Sequence, residues 1–241
     1  MDKKPSGEQF VCFNIRDFLN LEEAGEIGEN DLEKIFSDFS SPKNSDVESF
    51  LKRNAVEFTK KNQSVTYLVF SLEDMCLVGY FSITMKPVTV NAEGMSNSVK
   101  RKLSRLSRLD QAIDSYTVSA YLIAQLGRNY SEEVKYPITG KMLMNFAINT
   151  LNGIQRQLGG LMVYLECEEK EPLLRFYQEQ NGFRLFGERM TDEEKEGERH
   201  KLLQLLNFIL NYICLFDYLF ISSQMSAKPY FIGSTGILLL W

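Results

Sequence analysis

One turn and two side chains carry most of the chemistry this sequence offers. The turn is Pro137-Ile138-Thr139-Gly140, followed by Lys141. It ends an irregular stretch and opens a helix, whose first amides are unpaired and sit at the positive end of the helix dipole. A diphosphate binds at such a mouth when a small residue lets its oxygens reach the backbone. Thr139 can cap, Gly140 gives room, the amides of Gly140, Lys141 and Met142 face outward, and Lys135 and Lys141 add charge. The same residues also make an ordinary capped helix start. The two side chains are Tyr177, just before Gly182-Phe183, and Glu166, at the end of an apolar run. A phenol can protonate a leaving group and a carboxylate can accept a proton. Tyr177 also suits the core face of a short helix, and Glu166, like Glu168, suits a solvated strand end.

Several elements must position these groups. Tyr116 to Leu126 is strongly β-prone and leads into Gly127-Arg128-Asn129. In the helix that begins near Gly140, residues Leu143, Ala147, Leu151, Ile154 and Leu158 form a stripe that would face a sheet. Gly159-Gly160 ends that helix. Leu161 to Leu165 then reads as a strand buried on both faces. Pro172 starts a short helix carrying Phe176 and Tyr177, and Asn181-Gly182 stops it. Phe183 to Phe186 is extended, Thr191 to Glu198 is a charged loop, and Lys201 to Ile209 is either a closing strand or a buried helix.

Upstream, residues 10–40 predict one strand and one helix. Ser40 to Ser45 is a turn-rich break, and a helix runs from Val47 to about Lys60. Thr66 to Phe70 and Met75 to Thr84 pair through a turn at Glu73-Asp74, with Gly79 at a bulge or close approach. Residues 91–110 form a loop with a basic helical piece. Leu202 to Ser222 is nearly all apolar and reads first as a terminal element packed on the domain, with a membrane anchor as the lesser reading.

Composition removes several function classes. The four cysteines, Cys12, Cys76, Cys167 and Cys214, are widely spaced and the only histidine is His200, so neither a metal site nor a Ser-His-Asp triad is expected. A formal charge of -5 argues against wholesale nucleic-acid binding, with Lys100 to Arg108 a local basic exception. The charged segment Met1 to Gln9 holds no secretory signal, and the scattered cysteines point to the cytoplasm.

The block Tyr121 to Phe186 resembles the acetyl-CoA-binding core of the GCN5-related N-acetyltransferase (GNAT) family. Arg175-Phe176-Tyr177-Gln178-Glu179-Gln180-Asn181-Gly182-Phe183 matches that family's Phe/Tyr-Tyr before Gly-Phe. Gly140 takes the last glycine of its phosphate loop, while Ile138 replaces the other glycine and Lys135 stands where Gln or Arg is usual. Ser45 to Thr84, a helix followed by Ser64 to Phe70 and Val78 to Ile83, and Leu126-Gly127-Arg128 are similar to a branch that includes toxins acetylating aminoacyl-tRNA. The resemblance implies an α/β (α+β) GNAT fold over residues 10–209: a mixed central sheet, a splayed strand pair and flanking helices. Residues 210–241 match nothing in the family and form an apolar tail of unknown role.

The resemblance also implies acetyl-CoA as co-substrate. Its pantetheine arm would lie along Leu126, Gly127, Arg128 and Asn129, and its diphosphate on Ile138, Thr139, Gly140 and Lys141. Tyr177 would then be the acid, with Glu166 the candidate base and Gln125 a candidate to orient the acceptor. That acceptor would be an amine of a small molecule or protein; the alternatives are aminoacyl-tRNA, or a non-catalytic acyl-CoA-binding module. The apolar C-terminus is suited to pairing with a second copy of the chain.

Overall fold

The computed structural model describes residues 9–28, 30–191, 200–209, 228–231 and 237–240. Strand β1 (Phe10–Asn14) pairs antiparallel with β2 (Val65–Ser71), and β2 pairs with β3 (Leu77–Asn91). Further on come β5 (Ser115–Arg128), β6 (Met162–Glu168), β7 (Arg184–Met190) and β8 (Lys201–Phe208). The hydrogen-bonded order is β1-β2-β3-β5-β6-β8-β7, with the two-residue β4 (Leu109–Asp110) also on β5. Strands β5 and β6 run parallel, and the 19-residue helix α6 (Gly140–Leu158) joins them, as a parallel pair requires. Residues 201–208 are therefore a strand and not a helix. Their partner β6 is hydrogen-bonded along its whole length, which the apolar run alone did not reveal.

The described chain gathers into two compact units. One holds residues 9–83, 125–149, 228–231 and 237–240, the other 84–124 and 150–209. In the first, residues 10–40 make one strand and two helices, α1 (Ile15–Glu23) and α2 (Asp31–Ser37), where one helix was expected. Leu32 and Phe36, four apart, give the second helix its buried face. Helix α3 (Ser45–Ser49) continues through a π turn, Phe50–Asn54, into α4 (Ala55–Lys60). The core of this unit joins Phe13, Phe18, Phe36, Phe39, Leu51, Phe70 and Tyr80. The β2–β3 turn is where the sequence placed it. The Cys76 amide donates to Asp74 Oδ1, and Met75 takes a positive φ of 53°. A register shift sets Val69 opposite Gly79 and Phe70 opposite Leu77, so a bulge falls beside Gly79.

In the second unit β3 extends to Asn91, seven residues past the expected end. Val88 and Val90 are buried while Thr89 is exposed, a period-two signal that the exposed Pro87 hid. Helix α5 (Asn97–Leu103) is the basic helical piece, anchored by the fully buried Leu103. The second core joins Val88, Val90, Leu103, Tyr116, Val118, Leu122, Met162, Tyr164 and Leu206. The α6 stripe is buried at Leu143, Ala147 and Leu151, but Leu158 is 67% exposed. Gln155 is buried instead, and its Nε2 donates to the Gly160 carbonyl at 2.7 Å to close the helix end. Gly159 and Gly160 both have positive φ (81° and 100°), as a helix stop demands.

Most of the expected charged loop at 191–198 and most of the apolar run at 202–222 lie outside the described residues. Of residues 210–241, the strands β9 (Lys228–Phe231) and β10 (Ile237–Leu240) are described, as an antiparallel pair. Among the described residues no helix is long and apolar enough to cross a membrane.

Candidate functional site

In the first unit the predicted helix mouth is present. The amide of Met142 donates to Thr139 Oγ1 at 3.2 Å and that of Leu143 to the Thr139 carbonyl at 3.0 Å, so Thr139 caps α6. The Met142 amide, expected to face outward, is thereby used. Ile138 is 1% exposed, so its side chain belongs to the core and only its backbone faces the turn. Its carbonyl accepts from Arg128 Nη1 at 3.2 Å. Arg128 also donates through Nε and Nη2 to the Tyr130 hydroxyl, at 3.2 and 2.7 Å. With three donors engaged, Arg128 ties the end of β5 to the start of α6. The Tyr130 ring also takes the Lys43 ammonium at 5.2 Å from its centroid. Lys135 and Lys141 are exposed. The thiol of Cys76 is held up first by burial, then by Asp74, Asp38 and Glu133, and Lys135 opposes this, so Lys135 shares its field with carboxylates.

Leu126 is half-buried, and Gly127 packs so closely that a Cβ there would lie 2.3 Å from Val47 Cγ1 and 3.0 Å from Tyr80 Cε1. Asn129 is buried and fully employed. Its Oδ1 accepts from the amides of Ser40 (3.0 Å) and Ser131 (2.9 Å), its Nδ2 donates to the Leu77 carbonyl (2.8 Å), and its amide donates to Val78 (2.9 Å). Its side chain therefore holds backbone, not ligand. Asn129→Ala leaves two amides and a carbonyl without partners and is expected to cost about 2 kcal/mol. Chemical denaturation checks this, and an unchanged midpoint would contradict the assignment.

The second unit contains Tyr177 and Glu166. Tyr177 lies in a π turn, Arg175–Gln180, that continues α7 (Glu171–Leu174), with Pro172 in the first turn. Single π turns recur at functional sites because the extra residue re-aims a side chain. The Tyr177 ring packs edge-on against Phe176 (5.0 Å between centroids) and Phe183 (6.3 Å). Its hydroxyl has no hydrogen-bond partner among the described residues. Burial, with a smaller contribution from Cys167, pushes the phenol up to about 12.

Glu166, the candidate base, is already bound. Its Oε2 takes Arg189 Nε at 2.7 Å and its Oε1 takes Gln204 Nε2 at 2.9 Å. A carboxylate with both oxygens engaged is poorly placed to accept a further proton. Strand alternation separates it further, because Glu166 and Cys167 point to opposite faces of β6. Tyr177 responds to Cys167, whereas Tyr164 responds to Glu166 and Arg189, so Glu166 and Tyr177 are not gathered on one face. The Glu166 network rests on a second bulge, where Leu185 opposes Leu205 and Gly187 opposes Gln204. A Cβ on Gly187 would meet Gln204 Oε1 at 2.9 Å. Glu168, the other acid considered, pairs with Lys170 and is exposed.

The register of the parallel pair comprises Tyr121 with Val163 and Leu122 with Tyr164. Beyond Tyr164, residues Leu165, Glu166, Cys167 and Glu168 each have a β8 partner, and no β5 partner occurs among the described residues. The described β5–β6 ladder is thus two residues long, although β5 continues to Arg128 and β6 to Glu168.

The sequence reading missed three features. The π turn leaves no local signal. The structural role of Asn129 was legible in principle, because a buried asparagine after a strand commonly holds a turn. Tyr130 stands two residues from Arg128, the spacing that puts neighbours on one side of an extended chain.

No family model matches the chain, and no curated protein matches it in sequence. Solved structures match in shape. A structure described as AtaT complexed with acetyl-methionyl-tRNAfMet has a TM-score of 0.54 at 14% identity, covering 88% of this chain and 99% of its own. A tyrosine-to-phenylalanine mutant of KacT has a TM-score of 0.52 at 15% identity, with 84% and 96% covered. A bacterial toxin has a TM-score of 0.51 at 11% identity, with 87% and 96% covered. The chain has the fold expected from its motifs: a mixed α/β sheet with flanking helices, the GNAT fold.

Proposed function

We propose that residues 10–209 form an N-acetyltransferase domain that moves acetyl from acetyl-CoA to an amine of a small molecule or protein in the cytoplasm. The observation that supports this reading is the short β5–β6 ladder, whose pairs are Tyr121 with Val163 and Leu122 with Tyr164. Strand edges without partners offer backbone donors and acceptors to an extended ligand with amides of its own. The capped mouth of α6, with Thr139, Gly140 and Lys141, suits a diphosphate. Ile138 contributes backbone alone, and Arg128 and Asn129 act by fixing the loop rather than by touching ligand.

In the reaction a neutral amine attacks the thioester carbonyl carbon, the C–S bond breaks, and the nitrogen loses its proton to water. The departing thiolate takes the proton of Tyr177, giving an amide and CoA thiol, and the phenolate regains a proton from water, which returns the one it took from the amine. No side chain is assigned as base, because both oxygens of Glu166 are occupied.

Calorimetry with acetyl-CoA tests the reading. Binding is expected, with loss on Gly140→Trp, and no binding at millimolar acetyl-CoA overturns it. Binding without CoA release across a broad amine panel would instead assign a non-catalytic module. The likeness to AtaT favours a second reading, acetylation of aminoacyl-tRNA. It predicts growth arrest on expression, abolished by Tyr177→Phe.

A further inference from the structure

The connection from α5 to β5 is not used by the acetyl-transfer reading. Between Asn97 and Ile113 stand Lys100, Arg101, Lys102, Arg105 and Arg108 against a single acid, Asp110, in a chain whose net charge is -5. None of these five cations has an ion-pair partner among the described residues. Lys102 lies over the Phe208 ring at 4.7 Å. Arg101, Arg105 and Arg108 are exposed.

Three apolar side chains are exposed among them: Leu106 at 40%, Leu109 at 38% and Ile113 at 57%. The segment is held in place. Leu103 is buried, the amides of Leu106 and Ser107 donate to its carbonyl at 2.8 and 3.0 Å, and Leu109 and Asp110 pair with Tyr116 and Ser115.

Cations alone would suit any polyanion. Cations interleaved with exposed Leu and Ile suit a surface that is anionic at its face and apolar just beneath. No aromatic side chain occurs from Ala92 to Ser115, so the segment offers no aromatic platform of the kind on which successive nucleic-acid bases stack. We propose that residues 97–113 are a docking surface for anionic lipid headgroups, seated by Leu106, Leu109 and Ile113 in the acyl boundary.

Sedimentation of the full chain with vesicles tests this. Binding is expected to phosphatidylcholine vesicles containing phosphatidylserine, to be absent with phosphatidylcholine alone, and to weaken with salt. Each lost cation should weaken partitioning about fivefold, so Arg105→Glu with Arg108→Glu lowers it roughly 25-fold or more. The same pair changed to lysine should retain binding and exclude misfolding as the cause. Leu106→Asn with Ile113→Asn should also release the chain from vesicles while keeping its circular dichroism.

Three outcomes overturn the proposal. One is no dependence on phosphatidylserine. Another is full vesicle binding by both variants, which would assign the contact elsewhere in the chain. The third is an apolar variant that binds vesicles like wild type, since charge alone would then account for the contact and an RNA would serve equally well.

Discussion

On the acetyltransferase reading, Tyr177→Phe is expected to lower the turnover number at least about 100-fold, with the affinity for acetyl-CoA and the melting temperature unchanged. The three parts follow from the same geometry. The hydroxyl has no hydrogen-bond partner among the described residues, so its removal orphans no other group. The ring keeps its edge-on contacts with Phe176 and Phe183, so the fold loses no packing. What disappears is the proton for the departing thiolate, an interaction made only as the C–S bond breaks, so kcat falls rather than affinity.

The pH dependence has a definite sign. Burial raises the phenol to about 12, so Tyr177 is protonated and competent as an acid throughout the neutral and mildly alkaline range. The rate should not fall on an alkaline limb near pH 9 or 10, where an ordinary tyrosine would lose its proton. A purely structural Tyr177 would lower stability and affinity along with the rate. A drop in the melting temperature matching the loss of activity would therefore remove it from the mechanism.

How far the site was legible before the structure depended on whether the signal was local. The mouth of α6 could be read because Thr139-Gly140 is a capping sequence followed by an apolar stripe, and both are short-range rules. Gly159-Gly160 and Glu73-Asp74 were legible for the same reason. The partners of Glu166 could not be read locally because they are distant in sequence: Arg189 and Gln204 arrive on β7 and β8, 23 and 38 residues away. Nothing near Glu166 announces them. Asn129 is similar, since its partners Ser40 and Leu77 lie 89 and 52 residues upstream. Long-range side-chain pairing decides which polar groups are free for chemistry, and periodicity does not carry that information. The length of β3 was lost differently, because Pro87 reads as a strand stop although its exposed position tolerates a missing donor.

Gly127→Val is expected to destabilise the chain by about 3 kcal/mol or more, lowering the melting temperature by roughly 10 °C, because this glycine is required by packing and not by backbone freedom. An added Cβ would meet Val47 Cγ1 at 2.3 Å, Tyr80 Cε1 at 3.0 Å and Phe39 Cζ at 3.4 Å. Val47 could turn its side chain, but the Tyr80 ring is fully buried, packs against Phe39 at 5.3 Å and is fixed by its hydroxyl donating to the Val47 carbonyl at 2.5 Å. Moving the ring breaks that bond and leaves a buried phenol unpaired.

The opposite side of the same backbone is equally close, since a Cβ on Gly79 would lie 3.0 Å from the Gly127 carbonyl. Neither strand can yield, so the burden falls on Val47. A double-mutant cycle isolates it. Gly127→Ala and Val47→Ala should each destabilise, one by crowding and one by cavity, and together they should cost about 1 kcal/mol less than their sum because the methyl added at 127 occupies the space that Val47 vacates. Additive costs would mean that Val47 does not set the limit, and the fit of β5 against α3 would then need another explanation.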